Sequence, residues 1–167
     1  MDLRVTADRN GAVVDWGQGP RRAAIGLPGI AIKSGEGDGI TPIGAFPVRE
    51  IFYRADRIAK PDTKLPLRAL EKNDGWCDAP DDPNYNRLVK LPYPASAEQM
   101  WREDHLYDLV VVLGYNDDPV VPGKGSAIFL HLARPDYSHT QGCVALAYDD
   151  AIAAIGQLRP GDQVVIS

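Results

Sequence analysis

Short runs of apolar and β-branched residues, separated by glycines and prolines, are the feature that most constrains this chain. The 167 residues include 16 glycines and 14 prolines. Such runs are typical of strands, and many short strands with this punctuation indicate a sandwich or a barrel. The pair Asn10-Gly11 between the first two runs is typical of a tight hairpin turn. The runs predict strands at 3–6, 12–16, 22–27, 44–52, 87–91, 109–115, 127–132, 143–146 and 163–167.

Two segments carry helix signals. Ser96, followed by Gln99 three residues later, resembles a capping box and predicts a helix over 96–104. A second helix is predicted over 148–158, which has acidic residues in its first turn and apolar residues along one face. The proline-rich segment 55–86 is predicted to be a long loop, and loops of this length in a compact domain are usually functional or disordered.

Length and composition limit the class of protein. At 167 residues and 44% hydrophobic content, the chain is expected to form a single domain over 1–167. The net charge of -5 argues against a nucleic acid partner. The longest apolar runs, such as 109–113, are too short to span a bilayer, and the N-terminus does not resemble a signal peptide, so a cytoplasmic protein is expected. Neither a cofactor nor an oligomeric state is indicated.

The cysteines and histidines raise the question of chemistry. Cys77 and Cys143 are the two cysteines, and two do not make a disulfide framework. The three scattered histidines have no recognised metal-ligand spacing with them, so no metal site is expected. His105 is interpreted as structural or exposed. Cys77 is interpreted as structural.

The stretch "HLARPDYSHTQGCVAL", residues 131–146, is the strongest candidate for a site. His131 ends an apolar run, where a polar ring is costly unless it has a partner or a task. A loop could return Cys143 to its side, and an adjacent histidine lowers the pKa of a thiol and supplies a nucleophile. Gly142 allows close approach of the backbone. Alternatively, Cys143 only packs in the core and His131 is a core histidine bonded to backbone. His139 is interpreted as a surface residue, with a second base as the alternative.

This stretch resembles the active-site motif of the L,D-transpeptidase family with the YkuD-like fold, and "KSGEGDGITPIGAF" (33–46) resembles an upstream motif of the same family. The resemblance implies a mostly β sandwich with a few short helices. It also implies that Cys143 is the nucleophile and His131 its base. The amides of Gly142 and Cys143 would form the oxyanion hole, and Thr140 occupies the Ser/Thr position of the motif.

The chain departs from the family pattern at two positions. Gln141 replaces a histidine, and Ala145 stands where an arginine often binds the anionic substrate. Arg134 or Arg87 could supply that charge, although exposed arginines are commonly only solvated. Trp76 and Tyr85, in the long loop, are predicted to wall the cleft with neighbouring polar residues, and the segments 73–86 and 132–142 to roof it. These aromatic residues complete the predicted substrate-binding set.

The resemblance implies acyl transfer on peptidoglycan stem peptides. The first expectation is a cytoplasmic L,D-carboxypeptidase that removes the terminal D-alanine from tetrapeptides recovered from the cell wall. One alternative is an L,D-transpeptidase that forms 3→3 cross-links. Another is a stem-peptide-binding module without turnover, because Gln141 and Ala145 both depart from the pattern. A hydrolase of an unrelated amide is a further alternative, since fold alone does not define function.

Overall fold

The computed structural model describes all 167 residues, and these form fourteen strands and one helix. No helix is long and apolar enough to cross a membrane. The elements are β1 (Asp2–Asp8), β2 (Gly11–Asp15), β3 (Arg21–Ala24), β4 (Ile30–Ala31), β5 (Thr41–Pro42), β6 (Gly44–Tyr53), β7 (Leu67–Ala69), β8 (Asp74–Cys77), β9 (Leu88–Lys90), β10 (Ala97–Gln99), β11 (Leu109–Leu113), β12 (Phe129–Leu132), β13 (Val144–Leu146), α1 (Tyr148–Gln157) and β14 (Gln163–Ile166).

Nine strands form one sheet in the order β11-β12-β13-β3-β2-β1-β14-β6-β7, and β6 also pairs with β11. The ten-residue strand β6 makes this closure possible, because its first half pairs with β14 and its second half with β11. The register of β6 and β11 shifts between Val112 and Leu113, which is typical of a bulge that bends a strand. The fold is therefore mostly β, as predicted, but the two-sheet sandwich is not confirmed, because the sheet closes into a barrel-like ring.

The predicted strands are confirmed with shifted ends, and so is the second helix, which is α1. The β1–β2 hairpin turns at the predicted Asn10-Gly11 pair, and Gly11 has a φ of 126°. The segment 55–86 is not purely a loop, because it contains β7 and β8. Strand β8 is the middle strand of a small sheet, with β10 on one side and β9 on the other.

The helix predicted over 96–104 is wrong. Residues 97–99 form β10, and the backbone that follows is irregular up to β11. The carbonyl oxygen of Arg102 accepts a bond from the Arg54 guanidinium, and the carbonyls of Glu103 and Asp104 accept bonds from Arg57. These bonds hold the irregular segment in place, but the helix is excluded earlier in the chain. Residues 97–99 pair with β8, and the Met100 amide donates to the Asp74 carbonyl, so these backbone groups belong to a sheet and not to a helical ladder. The capping-box pattern carried no information about those partners.

Two apolar clusters lie on opposite sides of β12 and β13. The larger one fills the ring and includes Leu130 and Leu132, whereas Phe129 and Cys143 belong to a smaller cluster beneath the β8–β9–β10 sheet. Successive residues of a strand point to opposite faces. His131 therefore lies on the face of Phe129, outside the main core.

Candidate active site

Strands β12 and β13 place His131 and Cys143 on the same face of the sheet. They are parallel neighbours, with His131 opposite Ala145 and Leu130 opposite Val144. Cys143 is two residues before Ala145, so its side chain points to the same face as that of His131. The two predicted catalytic residues are therefore diagonal neighbours on adjacent strands.

Both residues line one cavity of about 450 Å³, here called the Cys143 cavity. Only 4 of its 16 lining residues are hydrophobic, so its chemistry suits a polar ligand rather than an apolar one. The lining residues are Lys33, Glu36, Gly37, Asp78, Glu98, Arg102, Leu106, Tyr107, Ser126, Ala127, His131, Arg134, His139, Thr140, Gln141 and Cys143.

His131 is held as a neutral base. Its Nδ1 lies 2.9 Å from the carbonyl oxygen of Leu132, which can only accept, so Nδ1 carries the proton and Nε2 keeps its lone pair. The Tyr107 ring packs edge-on against the imidazole, with 5.3 Å between the ring centres. Burial lowers the pKa of His131 to about 4, and the positive charges of Arg102 and Arg134 act in the same direction.

Cys143 rests as a neutral thiol. Its side chain is buried, and its Sγ donates to the Ala127 carbonyl at 3.2 Å and accepts a bond from the Phe129 amide at 3.4 Å. Burial raises the pKa of Cys143 to about 12, although the Phe129 bond and the Lys33 charge oppose it. The thiol therefore makes its hydrogen bonds with backbone and not with His131. An acyl-transfer step requires the side chain to turn away from Ala127.

The turn before Cys143 is closed by Thr140. Its hydroxyl donates to the Cys143 carbonyl at 2.6 Å and accepts a bond from the Gly142 amide at 3.1 Å. Of the two amides predicted for an oxyanion hole, that of Gly142 is thus occupied. The Cys143 amide donates to no protein group, so it is the amide that is free to bind an oxyanion.

Three glycines from distant parts of the chain meet behind this turn. A Cβ on Gly26 would lie 1.8 Å from the Gly39 carbonyl oxygen and 3.3 Å from the Gly142 Cα. A Cβ on Gly142, whose φ is 122°, would lie 2.8 Å from the Ile40 carbonyl oxygen. The segment 33–46 therefore packs directly against Gly142, the residue before Cys143. Close backbone approach requires glycine at these positions.

Asp38 organises that segment from its centre. Its carboxylate accepts bonds from the Lys33 ammonium at 2.5 Å and from the Ser34, Gly35 and Ile40 amides. Although burial opposes it, the Lys33 bond and these amides hold the pKa of Asp38 well below its usual range. Lys33 also donates to the Ile40 carbonyl at 3.1 Å. This explains why lysine and aspartate occur together in the motif.

The structure brings some of the predicted substrate-binding residues to the Cys143 cavity and not others. Arg134 and Thr140 line it. Arg87 and Trp76 instead line a separate cavity of about 210 Å³. Tyr85 is buried, and its hydroxyl donates to Glu36 and accepts a bond from the Gly125 amide at 2.9 Å. Tyr85 therefore orients a lining residue without lining the cavity itself.

Trp76 also acts through other residues. Its Nε1 donates to the Asn86 side-chain oxygen at 2.9 Å, and the same oxygen accepts a bond from the Ala127 amide at 3.0 Å. The carbonyl of Ala127 then accepts the thiol of Cys143. The predicted aromatic wall is thus a scaffold behind the cavity. Of the two predicted roof segments, 132–142 supplies four lining residues, whereas 73–86 supplies only Asp78.

Sequence reasoning missed several charged lining residues. Lys33 and Glu36 lie within the segment 33–46, whose resemblance to the upstream family motif is the signal that points to them. Glu98 and Arg102 lie within the segment 96–104, and Tyr107 lies just after it. The helix predicted for that segment does not place these three side chains in one cavity. The Tyr107 hydroxyl donates to Glu98, and burial raises the pKa of that carboxyl.

Comparisons with known proteins agree with the motif. The profile of the YkuD family, described as the L,D-transpeptidase catalytic domain, matches residues 3–166. No curated protein resembles the chain closely enough to count as a relative. The crystal structure of L,D-transpeptidase 1 from Mycobacterium tuberculosis is 13% identical with a TM-score of 0.43, and the match covers 99% of this chain and 61% of that one. An L,D-transpeptidase from Mycobacterium smegmatis is 13% identical with a TM-score of 0.41, and the match covers 99% and 58%. The chain thus spans about three fifths of the length of either solved protein.

Proposed function

Because the chain belongs to the family of L,D-transpeptidase catalytic domains, we propose that it transfers acyl groups of peptidoglycan stem peptides through Cys143. We propose further that it is an L,D-carboxypeptidase, which removes the terminal D-alanine from tetrapeptides. The observation that carries the proposal is the shared polar cavity, in which a neutral imidazole and a thiol lie on one face of adjacent strands.

The geometry supports a general-base mechanism. When a stem peptide displaces the Ala127 bond, the thiol turns towards Nε2 of His131, which takes its proton as sulfur attacks the carbonyl carbon. The Cys143 amide binds the oxyanion of the tetrahedral intermediate. The C–N bond then breaks, and the proton on Nε2 passes to the leaving amine. The products of this half-reaction are a thioester on Cys143 and free D-alanine.

The second half-reaction depends on the acceptor. In the proposed carboxypeptidase, His131 activates water, which attacks the thioester and releases a tripeptide and the thiol. The mixed charge of the cavity supports a substrate with both charge signs, because Glu36, Asp78 and Glu98 line it together with arginines. A stem peptide carries several carboxylates and the side-chain amine of its diamino acid.

The first experiment measures D-alanine release from a purified muropeptide tetrapeptide. The wild type is expected to release D-alanine and leave tripeptide, and Cys143→Ser is expected to lose at least about 1,000-fold in kcat. Cys77→Ser is the matched control, because Cys77 is the other buried free cysteine and lies outside the cavity. Cross-linked dimers in the presence of an amine acceptor would instead identify a transpeptidase. Binding of the tetrapeptide without any turnover would identify a binding module.

We also propose that the substrates are soluble muropeptides in the cytoplasm. Fractionation of cells that produce a tagged full-length protein tests this directly. The protein should appear in the fraction that contains cytoplasmic markers, and its appearance with envelope markers would contradict this part of the proposal. The enzymatic proposal is independent of that result.

A further inference from the structure

Two arginines in the wall of the Cys143 cavity share a single acid. Arg102 binds Asp104 through Nε and Nη2, at 2.8 and 2.6 Å. The Nη2 of Arg134 lies 3.9 Å from the same carboxylate, which is beyond hydrogen-bond distance. Asp104 can neutralise only one of these two guanidinium groups. The Nη1 donors of Arg102 and all donors of Arg134 remain free for a ligand.

This pair lies beside the catalytic base. The Arg102 guanidinium carbon is 5.1 Å from the centre of the Tyr107 ring, and that ring is 5.3 Å from the centre of the His131 ring. Arg134 follows β12, only three residues after His131 in the chain. The positive charges of Arg102 and Arg134 both disfavour the imidazolium form of His131 and so lower its pKa, as expected for close neighbours. The two arginines are therefore on the side of the cavity where His131 works.

The leaving group must also be on that side. In the proposed reaction the amine of D-alanine receives its proton from His131, so its nitrogen comes within hydrogen-bond distance of Nε2. The carboxylate of an amino acid is separated from its amine by one carbon atom, about 2.5 Å between nitrogen and carboxyl carbon. A carboxylate so close to the base meets the free donors of the arginine pair, whose planar forks suit its geometry.

We propose that Arg102 and Arg134 form the subsite for the α-carboxylate of the leaving residue, and thereby restrict cleavage to the C-terminal peptide bond. This inference rests on the proposed function and identifies which part of the substrate the site recognises. It also accounts for Ala145, because the positive charge that often stands at this position in the motif is supplied here by two arginines from other segments that line the same cavity.

Other cations of the protein fit this role less well. Lys33 also lines the cavity, but its ammonium is committed to Asp38 and to the Ile40 carbonyl, and its side chain is only 4% exposed. Arg87 lines the other cavity, with Trp76 and Phe129. His139 lines the Cys143 cavity but is exposed, and its ring lacks the planar fork of a guanidinium.

The test uses one tetrapeptide in two forms, with a free C-terminal carboxylate and as the C-terminal amide. Tripeptide formation is followed for the full-length wild type, Arg102→Gln, Arg134→Gln and Arg102→Lys. The wild type should prefer the free acid by about 10- to 100-fold in kcat/KM, the usual range for a charged hydrogen bond. Arg102→Gln and Arg134→Gln should each lower kcat/KM for the acid by at least about 10-fold more than that for the amide. Arg102→Lys, which keeps the charge but not the fork, should lose less. Arg87→Gln is the matched control and should keep the wild-type preference.

Two results would overturn the assignment while the proposed function stands. One is a wild type that cleaves acid and amide at equal rates. The other is an Arg102→Gln enzyme in which both substrates lose activity equally, because that pattern indicates a disturbed Tyr107 and His131 rather than a lost carboxylate contact. If the wild type releases nothing from either peptide, the proposed function fails and the subsite fails with it.

Discussion

Burial of His131 should make the stability of this protein depend on pH in a way that one substitution removes. The imidazole is only 5% exposed and accepts a proton with difficulty, because burial lowers its pKa from 6.5 to about 4. Between these two values the unfolded chain binds a proton at this residue and the folded protein does not. Protonation therefore favours unfolding, and this contribution to stability is lost as the pH falls from about 6.5 to about 4.

The size of the effect follows from the two pKa values. Moving from pH 7.5 to pH 5 should cost about 2 kcal/mol of unfolding free energy from His131 alone, and the loss reaches about 3 kcal/mol at pH 4. Other groups also titrate in this range, so the wild type by itself does not isolate the term. The variant His131→Asn does, since its amide can still donate to the Leu132 carbonyl but does not titrate.

The assay is urea denaturation of both proteins at pH 7.5 and pH 5, followed by far-ultraviolet circular dichroism. The unfolding free energy of the wild type relative to the variant should decrease by about 2 kcal/mol on going to pH 5. A difference that is the same at both pH values would refute the reasoning, because it would mean that His131 titrates alike in the folded and unfolded states. In the enzymatic assay, the same pKa places the acid limb of kcat/KM near pH 4 rather than near 6.5.

Three further predictions concern the scaffold of the site. Gly142→Ala should lower Tm by about 5–15 °C, because the new side chain meets both a positive φ and a steric clash. The control Gly29→Ala, at a φ of 88° with open space around it, should lower Tm by only about 2–4 °C, and equal Tm shifts in the two variants would refute the clash. Thr140→Val should reduce kcat of D-alanine release by at least about 10-fold with a smaller effect on KM, because it removes both hydrogen bonds that fix the turn before Cys143. Full activity of this variant would contradict that positioning role. Asp38→Asn should lower the free energy of unfolding in urea by about 3–5 kcal/mol, since it leaves the buried Lys33 ammonium without a counter-charge. A loss of unfolding free energy below about 1 kcal/mol would show that Lys33 finds another partner.

The strands could be predicted from the sequence because their signal is local. Alternating or β-branched runs bounded by glycine and proline define β1, β2, β11 and β12 without reference to the rest of the chain. Closure of the sheet could not be predicted in the same way. It depends on β6 pairing with β14 through its first half and with β11 through its second half, which is a property of the paired strands rather than of any one of them.

The site was predictable to the extent that neighbouring residues define it. His131 and Cys143 flank one loop, and their common cavity follows from two adjacent strands. Arg102 and Tyr107 reach the same cavity from a segment whose backbone carbonyls bind Arg54 and Arg57, and those arginines lie about fifty residues earlier in the chain. A capping pattern at Ser96 contains nothing about such partners, so the local helix signal was misleading there.

The neutral resting state of Cys143 also affects how easily its sulfur is oxidised. Peroxide and disulfides react with thiolates rather than with thiols, and burial raises the pKa of Cys143 to about 12, so the thiol is almost entirely un-ionised at neutral pH. The bond to the Ala127 carbonyl and the 6% exposure protect the sulfur further. The same arrangement that keeps the Cys143 thiol un-ionised while it bonds to Ala127 therefore also protects its sulfur from oxidation.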